Sequence, residues 1–241
     1  MRERLRAWML RAVRAKPQSP FLYADFDPEF EELTARVRPY TMTTVERLWG
    51  LREAVDYVVR EDIPGDAVEC GVWRGGSSML IALQLLRTQD GGRKLWMYDT
   101  FEGMTAPSEF DDAEALEQFE EHRARGEQWI RAPIDEVKRN LGSTGFPATR
   151  LELVAGKVED TIPDRMPSEI SILRLDTDWY ESTHHELVHL WPRLSPGGVL
   201  IIDDYGHWGG ARKAVDEFFD ELGARPLFGR MDYTGRILVK R

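Results

Sequence analysis

From residue 66 onward the chain alternates short apolar runs with helix-like stretches, and this rhythm constrains the fold more than any other feature. DAVECGV, KLWMYDT (94–100), RLELVAG (150–156), ISILRLD (170–176) and GGVLIIDD (197–204) read as five strands. Helices are expected over 77–87, 133–141, 181–194 and 210–222. Such alternation implies a mostly parallel sheet with right-handed crossovers. The tail, RPLFGRMDYTGRILVKR, reads as two antiparallel strands joined near Asp232. Ligands of such sheets sit beyond the carboxyl ends of the strands, so the residues there carry the functional information.

The segment before this series reads as helical. Pro17 and Pro20 break an opening helix, and a second short helix is expected over 27–37. A third starts at Thr43 or Thr44, good N-caps, and Val45, Leu48, Trp49, Leu51, Val55, Val58 and Val59 recur along it at helical spacing. Residues 1–64 are thus expected to form a helical cap or lid. Residues 65–241 are expected to form one α/β domain, with an acidic, partly helical lid insertion at about 104–133. The opening MRERLRAWMLRAVRAKP is basic and only partly apolar, which suits a surface amphipathic helix and not a signal peptide or stable membrane insertion. A net charge of -10 argues against nucleic acid as a partner. Cys70 is the single cysteine, so no intrachain disulfide forms, which fits a reducing cytoplasm.

The first strand runs into Glu69-Cys70-Gly71-Val72-Trp73-Arg74-Gly75-Gly76-Ser77-Ser78. Its glycines permit a tight turn and close backbone approach to a ligand at a helix start. The spacing is G-x-x-x-G-G, not the G-x-G-x-x-G of dinucleotide binders. The same turn also serves plain strand-to-helix packing. Asp99 ends the second strand and can accept from both hydroxyls of a ribose, as acids in nucleotide-binding dehydrogenases also do. Thr100, Phe101, Glu102 and Gly103 then lie over the cofactor. After the third strand come Gly156-Lys157-Val158, where Val158 can pack on an adenine face or belong to an ordinary loop.

Two acidic clusters end neighbouring strands, Asp176-Thr177-Asp178 and Asp203-Asp204. Four carboxylates in one mouth repel each other unless a cation is present. Magnesium suits oxygen ligands and keeps waters that a substrate can replace. Asp176, Asp203 and Asp204 are the expected ligands, against the alternative of solvated strand ends or helix N-caps. Asp178, beside them, is the candidate general base. His185 and His189 share a helix face but lack HExxH spacing and a third ligand, so zinc is not expected. His207 is placed either to touch a substrate or to sit exposed in a loop.

The two closing strands after a five-unit βα series resemble the seven-stranded, Rossmann-like sheet of class I methyltransferases. VECGVWRGGSSM, YDTFEGM, LRLDTDWYEST and LSPGGVLIIDDYG together resemble the macrocin O-methyltransferase family, from about Tyr40 to the C-terminus. The resemblance implies S-adenosylmethionine and Mg2+ as cofactors and often a homodimer or larger homo-oligomer. It implies a sugar hydroxyl on a glycosylated natural product as acceptor, in antibiotic biosynthesis. Glu69, Gly71 and Ser77 fall on that family's cofactor loop, Asp99 on its ribose-binding acid, and Asp176, Asp203 and Asp204 on its metal ligands, with Asp176 also near the cofactor. Asp178 falls on its proposed base, and YTMTTVERL resembles its cofactor-covering segment, with a contact from Thr43. Three rivals stand beside this expectation: a metal-dependent methyltransferase of phenols or catechols, a nucleotide-sugar dehydrogenase, and a noncatalytic cofactor-binding protein.

Overall fold

The structure is a computed structural model that describes residues 26–241. The expected break at Pro17 and Pro20 and the basic opening segment lie outside the described residues.

Helix α1 (Pro28–Val37) starts at Asp27, whose carboxylate accepts the Phe30 N–H at 2.7 Å. Helix α2 (Val45–Arg60) starts at Thr44, whose hydroxyl accepts the Arg47 N–H at 3.3 Å. Both caps satisfy donors that a helix start leaves without partners. The βα series follows as β1 (Asp66–Cys70), α3 (Gly76–Arg87), β2 (Leu95–Asp99), α4 (Ala113–Ala124), α5 (Ile134–Gly142) and β3 (Leu151–Ala155). Then come a single turn, α6 (Val158–Thr161), β4 (Ile170–Leu175), α7 (Tyr180–Leu190), β5 (Leu194–Ile202) and α8 (Gly209–Glu221). The chain closes with β6 (Gly229–Arg230) and β7 (Arg236–Val239).

The seven strands form one sheet in the order β3-β2-β1-β4-β5-β7-β6. β1 to β5 are parallel, and β7 runs antiparallel to both β5 and β6. Chain order reverses at β1, which is flanked by β2 and β4, so the crevice above β1 and β4 is the switch point where such sheets bind ligands.

Side chains alternate across the sheet, and both faces are covered. Ala67, Met97, Ile172, Val199 and Ile201 point to the layer of α1, α2, α3 and α5, where Phe30, Leu48, Leu51, Val55, Leu80 and Leu141 are buried. Val68, Tyr98, Leu173, Leu200 and Ile202 point to α7 and α8, against Leu187, Leu190, Val215 and Phe219. Burial on both faces is why these strands read as near-continuous apolar runs. Helices α1 and α2 therefore share the core of the sheet. A third, small cluster joins Trp179 and Trp208 with Ala115 and Ala211, and Met104 and Trp129 pack on it.

Most element bounds fall within about two residues of expectation, and two differ by more. β5 begins at Leu194 and not at residue 197, because Leu194 and Ser195 are buried and Gly197 N–H pairs with the Lys240 carbonyl at 2.7 Å. α7 stops at Leu190 and gives way to a 3-10 turn, Trp191–Arg193, since Pro192 cannot continue the ladder. Among the described residues no helix is long and apolar enough to cross a membrane.

Candidate active site

The turn after β1 is shaped by backbone contacts that only glycine permits. Gly71 has φ +81°, its N–H donates to the Tyr98 carbonyl at 2.8 Å, and a Cβ there would stand 1.8 Å from the Asp176 carbonyl oxygen. Gly76 opens α3, where a Cβ would stand 2.6 Å from the Tyr40 carbonyl oxygen. Asp99 braces the same turn from β2: Oδ2 accepts the N–H groups of Val72 at 2.7 Å and Trp73 at 2.9 Å, and Oδ1 accepts that of Phe101 at 2.7 Å. A carboxylate oxygen takes more than one donor, so Asp99 keeps capacity for a ligand's hydroxyls.

These residues wall one side of a cavity of about 380 Å³. Thr43, Glu69, Gly71, Ser77, Asp99, Lys157, Val158, Asp176, Asp178, Asp203 and Asp204 all line it. Phe101, expected over the cofactor, has φ +55° and a side chain buried in the core of the sheet's first face; it does not line the cavity, whereas its neighbours Thr100 and Gly103 do. The turn that lays Thr100 over the cavity points the next side chain inward.

The acids arrive on adjacent strands. The Asp176 N–H donates to the Cys70 carbonyl and the Asp203 N–H to the Leu175 carbonyl, each at 2.9 Å, so the ends of β1, β4 and β5 are stitched together. Asp176, Asp178 and Asp204 each offer a carboxylate oxygen within 4.8 Å of the others. Asp178 has φ +69°, a left-handed conformation uncommon outside glycine and tolerated best by Asp and Asn. Burial lifts the Asp176 carboxyl to about 6, against the pull of Arg174, and the nearby Asp204 adds to the rise. Burial likewise lifts Asp178 to about 7, against the hydrogen bond from Asp204 and with the push of Asp176. Asp204 is pushed well above the carboxylate range by burial and by Asp178 and Asp203. Its Oδ2 is buried with no hydrogen-bond partner.

Asp203 faces differently from its expected companions. Both its oxygens are held by guanidinium groups: Oδ1 accepts from Arg174 at 2.6 Å, and Oδ2 pairs with Arg47. Burial still lifts it to about 7, against Arg174. Arg174 is the residue sequence reasoning misses. It is 2% exposed, and Nη1 reaches Glu69 at 2.6 Å and Asp176 at 2.8 Å while Nη2 reaches Thr43 Oγ1 at 3.2 Å. One cation thus joins the glycine turn, the acid cluster and the α2 approach. Its signal was a lone charge in an apolar strand, on the same face as Asp176 and in register with Glu69 of β1. Glu69, also bonded by the Ser78 hydroxyl, is lifted to about 7 by burial against the pull of Arg174.

Beyond the acids the cavity walls are aromatic. Trp129, Trp208, Tyr233 and His207 line it, and the His207 ring meets that of Trp208 at 4.5 Å. His185 instead bonds the Ile162 carbonyl at 3.0 Å and lies 4.4 Å from His189, away from the cavity.

A glycine turn braced by Asp99 thus faces a carboxylate cluster across one cavity at the switch point of the sheet. The profile of the macrocin O-methyltransferase (TylF) family matches residues 4–240. The chain belongs to this family. It is an S-adenosylmethionine-dependent O-methyltransferase with the class I fold. It is similar to the 8-demethyl-8-(2,3-dimethoxy-alpha-L-rhamnosyl)-tetracenomycin-C 4'-O-methyltransferase of Streptomyces olivaceus, with 35% identity over 92% of this chain and 85% of that one. The mycinamicin III 3''-O-methyltransferase of Micromonospora griseorubida is 33% identical over 81% of this chain and 76% of its own. Among solved structures, the O-methyltransferase NovP superposes with a TM-score of 0.75 and 31% identity, covering 83% of this chain and 82% of NovP.

Proposed function

We propose that this methyltransferase is magnesium-dependent and methylates a sugar hydroxyl of a glycosylated natural product. The observation that carries the reading is the carboxylate cluster of Asp176, Asp178 and Asp204 in the same cavity as the cofactor turn. The relatives' acceptors support the sugar, since the Streptomyces olivaceus enzyme is named for a rhamnosyl compound.

The residues fit a hard cation. An octahedral shell at about 2.0–2.1 Å spaces its oxygens roughly 3–4 Å apart, within the spread of this cluster. The unpartnered Asp204 Oδ2 is an acceptor that a cation would satisfy. Asp176 and Asp204 are the proposed central ligands. Asp203 is the proposed third ligand; it stands outside the three-carboxylate cluster, and to bind the ion it would give up an oxygen now held by Arg47 or Arg174. The cofactor's sulfonium supplies an activated methyl group, and the ion supplies a lowered pKa for an acceptor hydroxyl.

The protein's own task is placement. Asp99 receives the ribose hydroxyls while its bonds to Val72 and Trp73 keep it still. Val158, 4% exposed on the cavity wall, offers an apolar contact for the adenine. Asp178 takes the acceptor's proton, since its carboxylate lies in the cavity beside Asp176 and Asp204 and is not one of the proposed ligands. Trp129 and Trp208 give the acceptor apolar faces and displace water. Assembly as a homodimer or larger homo-oligomer in a reducing compartment belongs to the same proposal and rests on the family resemblance and on the buried thiol of Cys70. The test is a panel of rhamnosyl and other deoxysugar glycosides against catechols, each with Mg2+ or excess chelator. Metal-dependent methylation of glycosides alone supports the reading; catechol methylation alone, or full activity in chelator, overturns it.

A further inference from the structure

The insertion between β2 and α5 carries two adjacent carboxylates that this chemistry does not use. Asp111 Oδ1 accepts the N–H of Tyr180, the first residue of α7, at 2.8 Å, while Oδ2 accepts the Ser108 N–H at 2.7 Å and its hydroxyl at 3.0 Å. Asp112 Oδ2 accepts the N–H of Gly209, the first residue of α8. α7 directly follows the loop of Asp176 and Asp178, and α8 follows that of Asp203 and Asp204. Neighbouring aspartates therefore each hold the start of one helix that leaves the acid cluster. Helix starts present unpaired N–H groups and favour negative charge, so both contacts are of an attractive kind.

The receiving backbone is bare where the aspartates approach. A Cβ on Gly210 would stand 1.9 Å from Asp111 Oδ1, and one on Gly209 would stand 2.5 Å from Asp112 Oδ1. Further contacts join the same surfaces. The Trp179 indole N–H donates to the Thr105 carbonyl at 2.9 Å, and the Phe110 ring lies 4.7 Å from that of Tyr180. The Trp179 ring lies 6.0 Å from Trp129 and 5.3 Å from Trp208. The inner side of the insertion lines the cavity through Met104, Gln118 and Trp129.

We infer that Asp111 and Asp112 are positioning residues that latch the insertion onto the starts of α7 and α8, and so hold Met104, Gln118 and Trp129 as a wall against which the acceptor binds. The acceptor part of this statement rests on the proposed function; the latch does not.

The experiment compares the full-length wild type with Asp111→Ala/Asp112→Ala, Asp112→Asn and Gly210→Ala. Gly210→Ala dislodges Asp111 from the opposite side without changing charge. Trypsin cleavage at Arg123, Arg125 and Arg131 is followed without acceptor, the affinity for S-adenosylhomocysteine is measured by calorimetry, and kinetics use the glycoside that the panel identifies. The double alanine variant should be cut about tenfold faster and show an acceptor KM raised about tenfold, the scale of one or two charge-assisted hydrogen bonds. kcat and S-adenosylhomocysteine affinity should stay within about threefold, since lost orientation acts on the acceptor side alone. Gly210→Ala should reproduce the pattern, and Asp112→Asn, whose amide oxygen still accepts, should lie near wild type. Unchanged cleavage and KM would overturn the latch, as would a parallel loss of S-adenosylhomocysteine affinity, which marks general destabilisation. Faster cleavage in a protein whose wild type methylates no glycoside would uphold the latch and overturn the proposed function.

Discussion

Replacing Arg174 with methionine keeps the length of the side chain and removes its charge. In the folded protein the guanidinium is 2% exposed and meets Glu69 and Asp203 at 2.6 Å each and Asp176 at 2.8 Å. Burial works against its charge, yet the three carboxylates outweigh burial and hold it firmly protonated. Removing one partner of a buried ion pair costs about 3–5 kcal/mol, because the remaining charge stays buried without compensation. At about 2–4 °C per kcal/mol for a domain of this size, the melting temperature should fall by roughly 6–20 °C. Glu69 and Asp203 already have carboxyls lifted to about 7 with the arginine present. Without it they rise further, and the variant goes on losing stability from these two groups as pH climbs toward those higher values, whereas in the wild type their contribution has already levelled. The loss should therefore be larger at about pH 8.5 than at about pH 6. Urea unfolding followed by circular dichroism at both pH values measures it. A loss below about 1 kcal/mol, or one larger at the lower pH, would refute the claim that Arg174 neutralises this cluster.

Three further outcomes follow from the same geometry. Gly71→Ala forces an L side chain to φ +81° with its Cβ on the Asp176 carbonyl; it should cost at least about 1–2 kcal/mol and weaken S-adenosylmethionine binding, both read by thermal shift with and without cofactor. Asp178→Asn should lower kcat by about 10²–10⁴ and leave cofactor affinity within error, whereas loss of Mg2+ affinity in calorimetry would make Asp178 a ligand and not the base. Asp176, Asp178 and Asp203 have folded carboxyls lifted to about 6, 7 and 7, above their unfolded values, and Asp204 is pushed higher, so the metal-free protein should lose stability as pH rises from about 4 through about 7 and beyond. Mg2+ should stabilise it more at about pH 8 than at about pH 5.5, because protons compete for the same oxygens; a pH-independent shift would contradict this.

The sheet is legible in the sequence because its strands are buried on both faces and read as short apolar runs between helical stretches. The site is legible where it depends on strand ends: Asp99, Asp176 and Asp204 all terminate or follow a strand, and topology alone gathers them. Orientation is what the sequence hides. Asp203 and Asp204 are neighbours, yet one turns to Arg47 and Arg174 and the other keeps a bare buried oxygen. Phe101 follows Asp99 closely, yet the positive φ sends its ring into the core. Arg174 pairs across the sheet with Glu69, a partner 105 residues away. The aspartates of the insertion are equally silent, since their partners are backbone N–H groups on helices that follow much later in the chain.

Mass spectrometry of a rhamnosyl glycoside incubated with the protein, S-adenosylmethionine and either Mg2+ or excess chelator tests the central claim most directly. A product one methylene heavier, mapped to a sugar oxygen and formed only with the metal, is the predicted result. Equal product in chelator, or a methyl group mapped to a phenolic oxygen of the aglycone, would contradict it.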